Sequence, residues 1–245
     1  MQRSFKLTLD IVMGAVVPIL ILNTQTGPLG APTAYVLAAL VPVSWVLLDL
    51  LVVTRQFNAI TAAAGLTAIG NGGLAFWFVD GVLFALKDSV GLALYALVLA
   101  GSVAIRRPFL RPLFAQGVGA IEAQRRRALD PLLREPPVNQ AVARGTLGVA
   151  AATAAMAAVN FWLNLAIVTA PFGTDSFNQQ VAQVNAITRL AFPLVSLGTF
   201  GLALWLIYRA VFSILPVPAG QAWHEADLFD LVQKREEARG EGPLA

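Results

Sequence analysis

A chain of 245 residues that is 57% hydrophobic and 13% charged, with a mean hydropathy of +0.70, lacks the composition of a soluble domain, which carries about 25% charged residues. Its charges fall in short groups between long uncharged runs, the layout of a polytopic membrane protein. The net charge of +3 and pI near 9.7 do not point to nucleic acid, because the basic residues flank apolar runs, where they set topology and meet anionic lipid. With no cysteine and a single histidine, His224 in the polar tail, disulfides, thiolate metal sites and Cys- or His-based catalysis within the membrane are excluded.

A membrane-spanning helix needs about 20 mostly apolar residues. Six stretches meet that requirement, at roughly 7–23, 33–53, 57–77, 81–104, 146–171 and 189–213. The expected fold is therefore an all-α polytopic membrane helix bundle of about six transmembrane helices. The first stretch is short, contains Pro18 and follows Arg3 and Lys6, as a signal peptide would. Asp10 interrupts it and no A-x-A site follows closely, so it reads as a retained helix. With both termini on the cytoplasmic side, all but two of the 17 lysines and arginines lie inside, the exceptions being Lys87 and Arg189.

Residues 1–104 thus form the first four spans. The segment 105–145 is a basic cytoplasmic linker, with eight arginines against Glu122, Asp130 and Glu135. Its apolar residues, among them Phe109, Leu110, Leu113, Phe114 and Ile121, suit a segment lying on anionic head groups. A solvated connector fits the same residues, and prolines 131, 136 and 137 limit any helix there. Residues 146–213 hold the last two spans, separated by an outer amphipathic segment at about 175–188. Ser176 and Gln179 give that segment a capping-box start, and Pro193 predicts a kink or break in the span that follows. Residues 214–245 form a polar cytoplasmic tail, expected to be loosely ordered past about 238.

The charged and amide residues inside spans are the candidate functional groups, since each costs about 2.5–3.5 kcal/mol at a helix centre. Lys87 and Asp88 interrupt "LFALKDSVGLAL", seven or so residues from the outer surface. Tyr95 shares the polar face of that helix. "GTLGVAAATAAMAAVN" opens the fifth span with small residues suited to close packing at a bundle centre. It also places Thr153, Asn160 and Asn164 along one stripe, which must face protein because lipid would leave the amides unsatisfied. Lys87, Asp88, Tyr95, Asn160 and Asn164 could therefore be structural glue or the lining of a polar site. Asp10 and Asp49 lie near the cytoplasmic side, where Lys6 and Arg55 offer local pairing.

Three stretches carry a resemblance. "LVPVSWVLLDLLVVTRQFNAI" holds Asp49 ahead of a basic turn and Phe57–Asn58; "FALKDSVGLALYALVLAGSV" holds Lys87–Asp88. "VNFWLNLAIVTAPFGTDSFNQQVAQVNAITRLAFPLVSL" holds Asn160, Phe161, Gly173, Thr174, Asp175, Phe177, Asn178 and Pro193. These elements resemble an uncharacterised family of bacterial inner-membrane proteins, and the first half resembles, more weakly, the intracellular septation protein A family. The basic turn after Asp49 departs from the pattern in having only one arginine. The resemblance implies a multi-pass bacterial inner-membrane protein with shared polar residues, including the outer loop motif Gly173, Thr174, Asp175, Phe177 and Asn178, and implies no reaction.

Two functions follow. One is a non-enzymatic role in envelope organisation, through assembly with a second copy or a membrane-protein partner. The other is a small-solute or proton-coupled transporter using the intramembrane Lys/Asp site. No H-E-x-x-H, G-x-S-x-G or P-loop is present, so an enzyme is not expected. Nor is a metal, a cofactor or nucleic acid.

Overall fold

The computed structural model describes residues 8–10, 12–53, 73–118, 131–216 and 227–239. Among them all regular structure is helical. Helix α1 spans Val17–Thr24, with a π-helical turn, Val12–Val16, ahead of it. That turn ends two residues before Pro18 and holds Gly14, the residue whose carbonyl the proline ring would clash with in a regular helix. A short α2, Thr26–Leu29, leads into α3, Ala31–Leu48, which continues as a π-helical turn Asp49–Val53. Then come α4 (Gly81–Ala104), α5 (Leu110–Val118), α6 (Pro136–Ile167), α7 (Asp175–Phe212) and α8 (Leu228–Arg239).

Four of these helices, α3, α4, α6 and α7, are long and apolar enough to cross a membrane, and the shorter apolar stretch Thr8–Thr24 precedes them. The chain is thus an all-helical protein with the helices of a membrane protein. The span expected at 57–77 lies outside the described residues except at its end. At about 1.5 Å per residue, α6 is about 48 Å long and α7 about 57 Å, well beyond the ~30 Å of hydrocarbon. Pro136 and Pro137 start α6 and do not prevent it, since the first helical positions have no N–H bond to lose. Likewise the outer segment and the last span are one continuous α7, and Pro193 does not end it. Leu190, Leu194 and Leu197 on α7 are each at least 70% exposed. Such a row is unfavourable in water and ordinary against lipid.

The chain divides into two compact units. The first comprises Met1–Leu94 and Ala154–Leu194. Its core is built from Leu22, Tyr35, Ala38, Phe84, Val168, Phe177, Val181, Ala182 and Val184. Edge-to-face ring pairs knit it together: Phe84 and Phe177 at 5.0 Å, Phe172 and Phe177 at 5.3 Å, Tyr35 and Phe172 at 5.5 Å.

The second unit comprises Tyr95–Thr153 and Val195–Ala245. Leu110, Phe114, Leu132 and Leu133 are buried there with Val138, Val142, Ile207, Val211 and Phe212. These four apolar linker residues therefore pack into the protein. Backbone approach is close at Gly145, where a Cβ would lie 3.2 Å from Ala203 Cβ. The tail joins the same core through Leu228, Leu231 and Val232 on α8. Asp227 caps α8 by accepting the N–H groups of Phe229 and Asp230, and Arg235 closes a 2.7 Å ion pair with Glu135.

Candidate functional site: an accessible carboxylate on the protein side of α4

Lys87 and Asp88 are consecutive, so their side chains leave α4 about 100° apart. They do not serve each other as hydrogen-bond partners. Lys87 is 5% exposed. Its ammonium donates to the Trp77 carbonyl at 2.7 Å, in the non-helical stretch before α4, and lies 5.0 Å from the Tyr35 ring centre and 5.3 Å from that of Phe84. An acceptor freed by the end of helical structure and two aromatic faces thus stabilise a cation that lipid would not.

Asp88 turns toward α6. Its Oδ2 accepts the side-chain N–H groups of Asn160 and Asn164, each at 2.9 Å. Asn160 Nδ2 also reaches Ser89 Oγ at 3.1 Å and the Asp88 carbonyl at 3.2 Å, and Asn164 Nδ2 donates to the Asn160 carbonyl at 2.9 Å. Both amides are buried, at 4% and 1% exposure. The i, i+4 spacing of the asparagines lets one carboxylate oxygen take both.

Asp88 itself is exposed. Its position makes that informative. Three and four residues earlier stand Ala85 and Phe84, both essentially fully buried, so Asp88 points the same way as they do. The opposite arc of α4 is formed by Val82, Leu83, Leu86 and Leu94, all more than half exposed. Asp88 is therefore accessible on the protein-facing side of α4, not the lipid-facing one. Among the described residues no hydrogen bond reaches its Oδ1.

Arg189 on α7 lies within range of the Asp88 charge, as do Tyr35 and Lys87. No ion pair closes between Arg189 and Asp88, and among the described residues Arg189 makes no hydrogen bond. Its intermediate burial leaves it partly accessible. All of these residues belong to the first unit. Tyr95 does not: it belongs to the second, where its ring meets Phe109 at 6.4 Å. Thr153 also lies in the second unit and donates within its own helix, to the Val149 carbonyl.

The outer loop motif folds onto the core of the first unit. Gly173 adopts φ +89°, a left-handed turn that a side chain would strain. Thr174 caps α7: its hydroxyl accepts the Phe177 N–H at 3.2 Å and donates to the Pro171 carbonyl. The helix starts at Asp175, two residues sooner than a Ser176 cap implies, so Ser176 and Gln179 lie within it and form no capping box. Phe177 and Asn178 are both fully buried. Asn178 Nδ2 donates to Thr26 Oγ1 at 3.0 Å and to the Ala31 carbonyl at 2.9 Å. Gln180, which the sequence does not single out, accepts the N–H groups of Thr169 and Ala170 and so pins the turn between α6 and α7.

On the cytoplasmic-side positions, Asp10 accepts the Trp45 indole N–H at 2.9 Å, an inter-helix bond. Lys6 and Arg55 lie outside the described residues, and with them the pairings expected for Asp10 and Asp49. Among the described residues no group of three His, Asp or Glu side chains is placed to hold a metal ion. No known family pattern, curated protein or solved structure matches this chain.

Proposed function

We propose that the chain is a non-enzymatic, multi-pass protein of the bacterial inner membrane that binds a small polar solute beside Asp88 and moves it across the bilayer. The observation that carries this reading is the exposure of Asp88 on the protein-facing side of α4, its Oδ2 held by two buried amides. An intramembrane carboxylate that only tied helices together would be closed off by its partners; this residue stays exposed, and its Oδ1 has no hydrogen-bond partner among the described residues. The distribution of lysine and arginine supports cytoplasmic N- and C-termini with six spans. The motifs around Asp49, Lys87–Asp88 and Gly173–Asn178 support a place in the bacterial inner-membrane family they resemble.

The absence of native cysteine permits a direct test. Asp88→Cys and Leu86→Cys, each reconstituted in liposomes, are exposed to a charged, membrane-impermeant methanethiosulfonate. Cysteine at 88 is expected to react, and cysteine at 86, on the lipid-facing arc, to stay unmodified. An inert cysteine at 88 removes the solute-site reading.

A second reading has its own support. Gly148, Ala151, Ala155 and Ala158 are all exposed and lie along one face of α6. Small side chains on a membrane helix suit close contact with another helix. This favours assembly with a second copy or a membrane partner, and through it the envelope role.

A further inference from the structure

The turn before α4 carries three consecutive aromatic residues, Phe76, Trp77 and Phe78, each roughly half exposed. The turn is braced. Phe78 stacks on Phe172 at 5.0 Å, Asp80 accepts the Phe172 N–H at 3.2 Å, and the Lys87 ammonium holds the Trp77 carbonyl at 2.7 Å. Two of its properties pull in opposite directions. Large aromatic faces are unfavourable in water. Residues 78–80 are non-helical, and among the described residues the N–H groups of Phe78 and Val79 have no backbone acceptor. Such groups are unfavourable in hydrocarbon. The head-group layer of a bilayer meets both needs: it offers acceptors and water to the backbone, and an apolar boundary to the rings.

We propose that Phe76, Trp77 and Phe78 anchor the start of α4 in the head-group layer of the bilayer. The inference rests on the multi-pass membrane part of the reading above and not on the solute site. Helix length supports it. α4 has 24 residues, about 36 Å at 1.5 Å per residue. The hydrocarbon is ~30 Å thick, and the bilayer ~40–45 Å with its head groups. An α4 that crosses it therefore ends within the head-group layers, and the aromatic residues stand three to five positions before Gly81. Lys87 gives independent support. It lies about 9 Å along α4 from Gly81, yet its ammonium reaches back to the Trp77 carbonyl. A lysine near a helix end in lipid carries its charge toward the head groups in this way. The aromatic surface also continues into the exposed arc of α4 at Val82, Leu83 and Leu86. A bilayer covers arc and turn together, whereas a water-soluble partner seated on the turn would not.

Depth is read from tryptophan fluorescence. In the full chain Trp45, Trp162, Trp205 and Trp223 are replaced by phenylalanine, which leaves Trp77 as the reporter. The protein is reconstituted in phosphatidylcholine brominated either high or low on its acyl chains. Trp77 is expected to lose more emission to the high bromines. A companion chain with Trp77→Phe and Leu94→Trp, whose reporter stands about 20 Å along α4 on its exposed arc, is expected to lose more to the low ones. Stronger quenching of Trp77 by the low bromines places the turn in hydrocarbon and overturns the proposal. Quenching by neither set, the result for a turn covered by protein or standing in water, also overturns it. If the Leu94→Trp chain responds as expected, only the anchor is then lost; if that chain too is unquenched, the membrane reading of α4 falls with it. Trp45 bonds Asp10, and its replacement can unfold the chain. In that event Phe76→Cys carries a nitroxide, whose relaxation by oxygen relative to a water-soluble nickel chelate reads the same depth. A ratio between that of Leu94→Cys and that of free label in water is expected, and equality with either overturns the proposal.

Discussion

At the scale of single residues, Lys87 and Asp88 divide their work. The ammonium closes the end of α4 onto the Trp77 carbonyl, and the carboxylate binds α4 to α6. Lys87→Met keeps much of the side-chain volume and removes the donor, leaving a carbonyl without its partner and two aromatic faces without their cation. It is expected to destabilise the protein by about 1–3 kcal/mol, read as a lower Tm in nanodiscs, with cysteine at 88 still open to the charged reagent. An unchanged Tm would show that the Trp77 bond contributes nothing. The sequence made both charges conspicuous, and the spacing of Asn160 and Asn164 on one face was legible too. The partners were not. Lys87 finds a backbone carbonyl, which every residue has and no composition reveals. Arg189 stands out in the sequence only as one of two basic residues outside the cytoplasmic set, and nothing there ties it to Asp88.

Among the helices, hydropathy located the apolar parts but underestimated the length. The 136–145 start of α6 and the 175–188 start of α7 carry enough polar residues to look like linker and surface helix. They continue as helix because Pro136 occupies an N-terminal position that suits it and Thr174 supplies a cap. Pro193 illustrates the limit of a local rule: one lost backbone bond does not end a helix of 38 residues held along its outer part by Phe177, Asn178, Val181 and Val184. The small residues of α6 serve different ends on different faces. Gly145 is in close contact with Ala203, so Gly145→Val forces methyl groups into occupied space. Overpacking of that kind costs about 1–3 kcal/mol, and a drop in Tm is the expected result. Gly148 has open space around it, and Gly148→Val should be close to neutral in the isolated chain.

For the whole molecule, an all-helical membrane protein was readable from composition and apolar runs, because lipid admits few solutions to the backbone hydrogen-bond problem. The division into two compact units was not, since α4, α6 and α7 each contribute to both and no break in pattern marks the change. The tail looked like a polar appendage. Its three buried aliphatic residues and the Arg235–Glu135 pair make α8 part of the second core. The exposed small-residue face of α6 is tested at this scale. Ala155→Cys is expected to form a disulfide-linked dimer under mild oxidation in native membranes if a second copy packs there. Persistence as a monomer, with Leu194→Cys as the lipid-facing comparison, would remove that form of the assembly reading.

Consecutive residues anchored in different directions also limit how α4 can move. Rolling the helix about its own axis by one residue's worth of angle would carry Lys87 away from the Trp77 carbonyl and Asp88 away from both asparagines together. Such a roll breaks three bonds at once, two of them to buried amides. The rotational setting of α4 is therefore fixed from two directions at once, by a backbone carbonyl on one side and by α6 on the other.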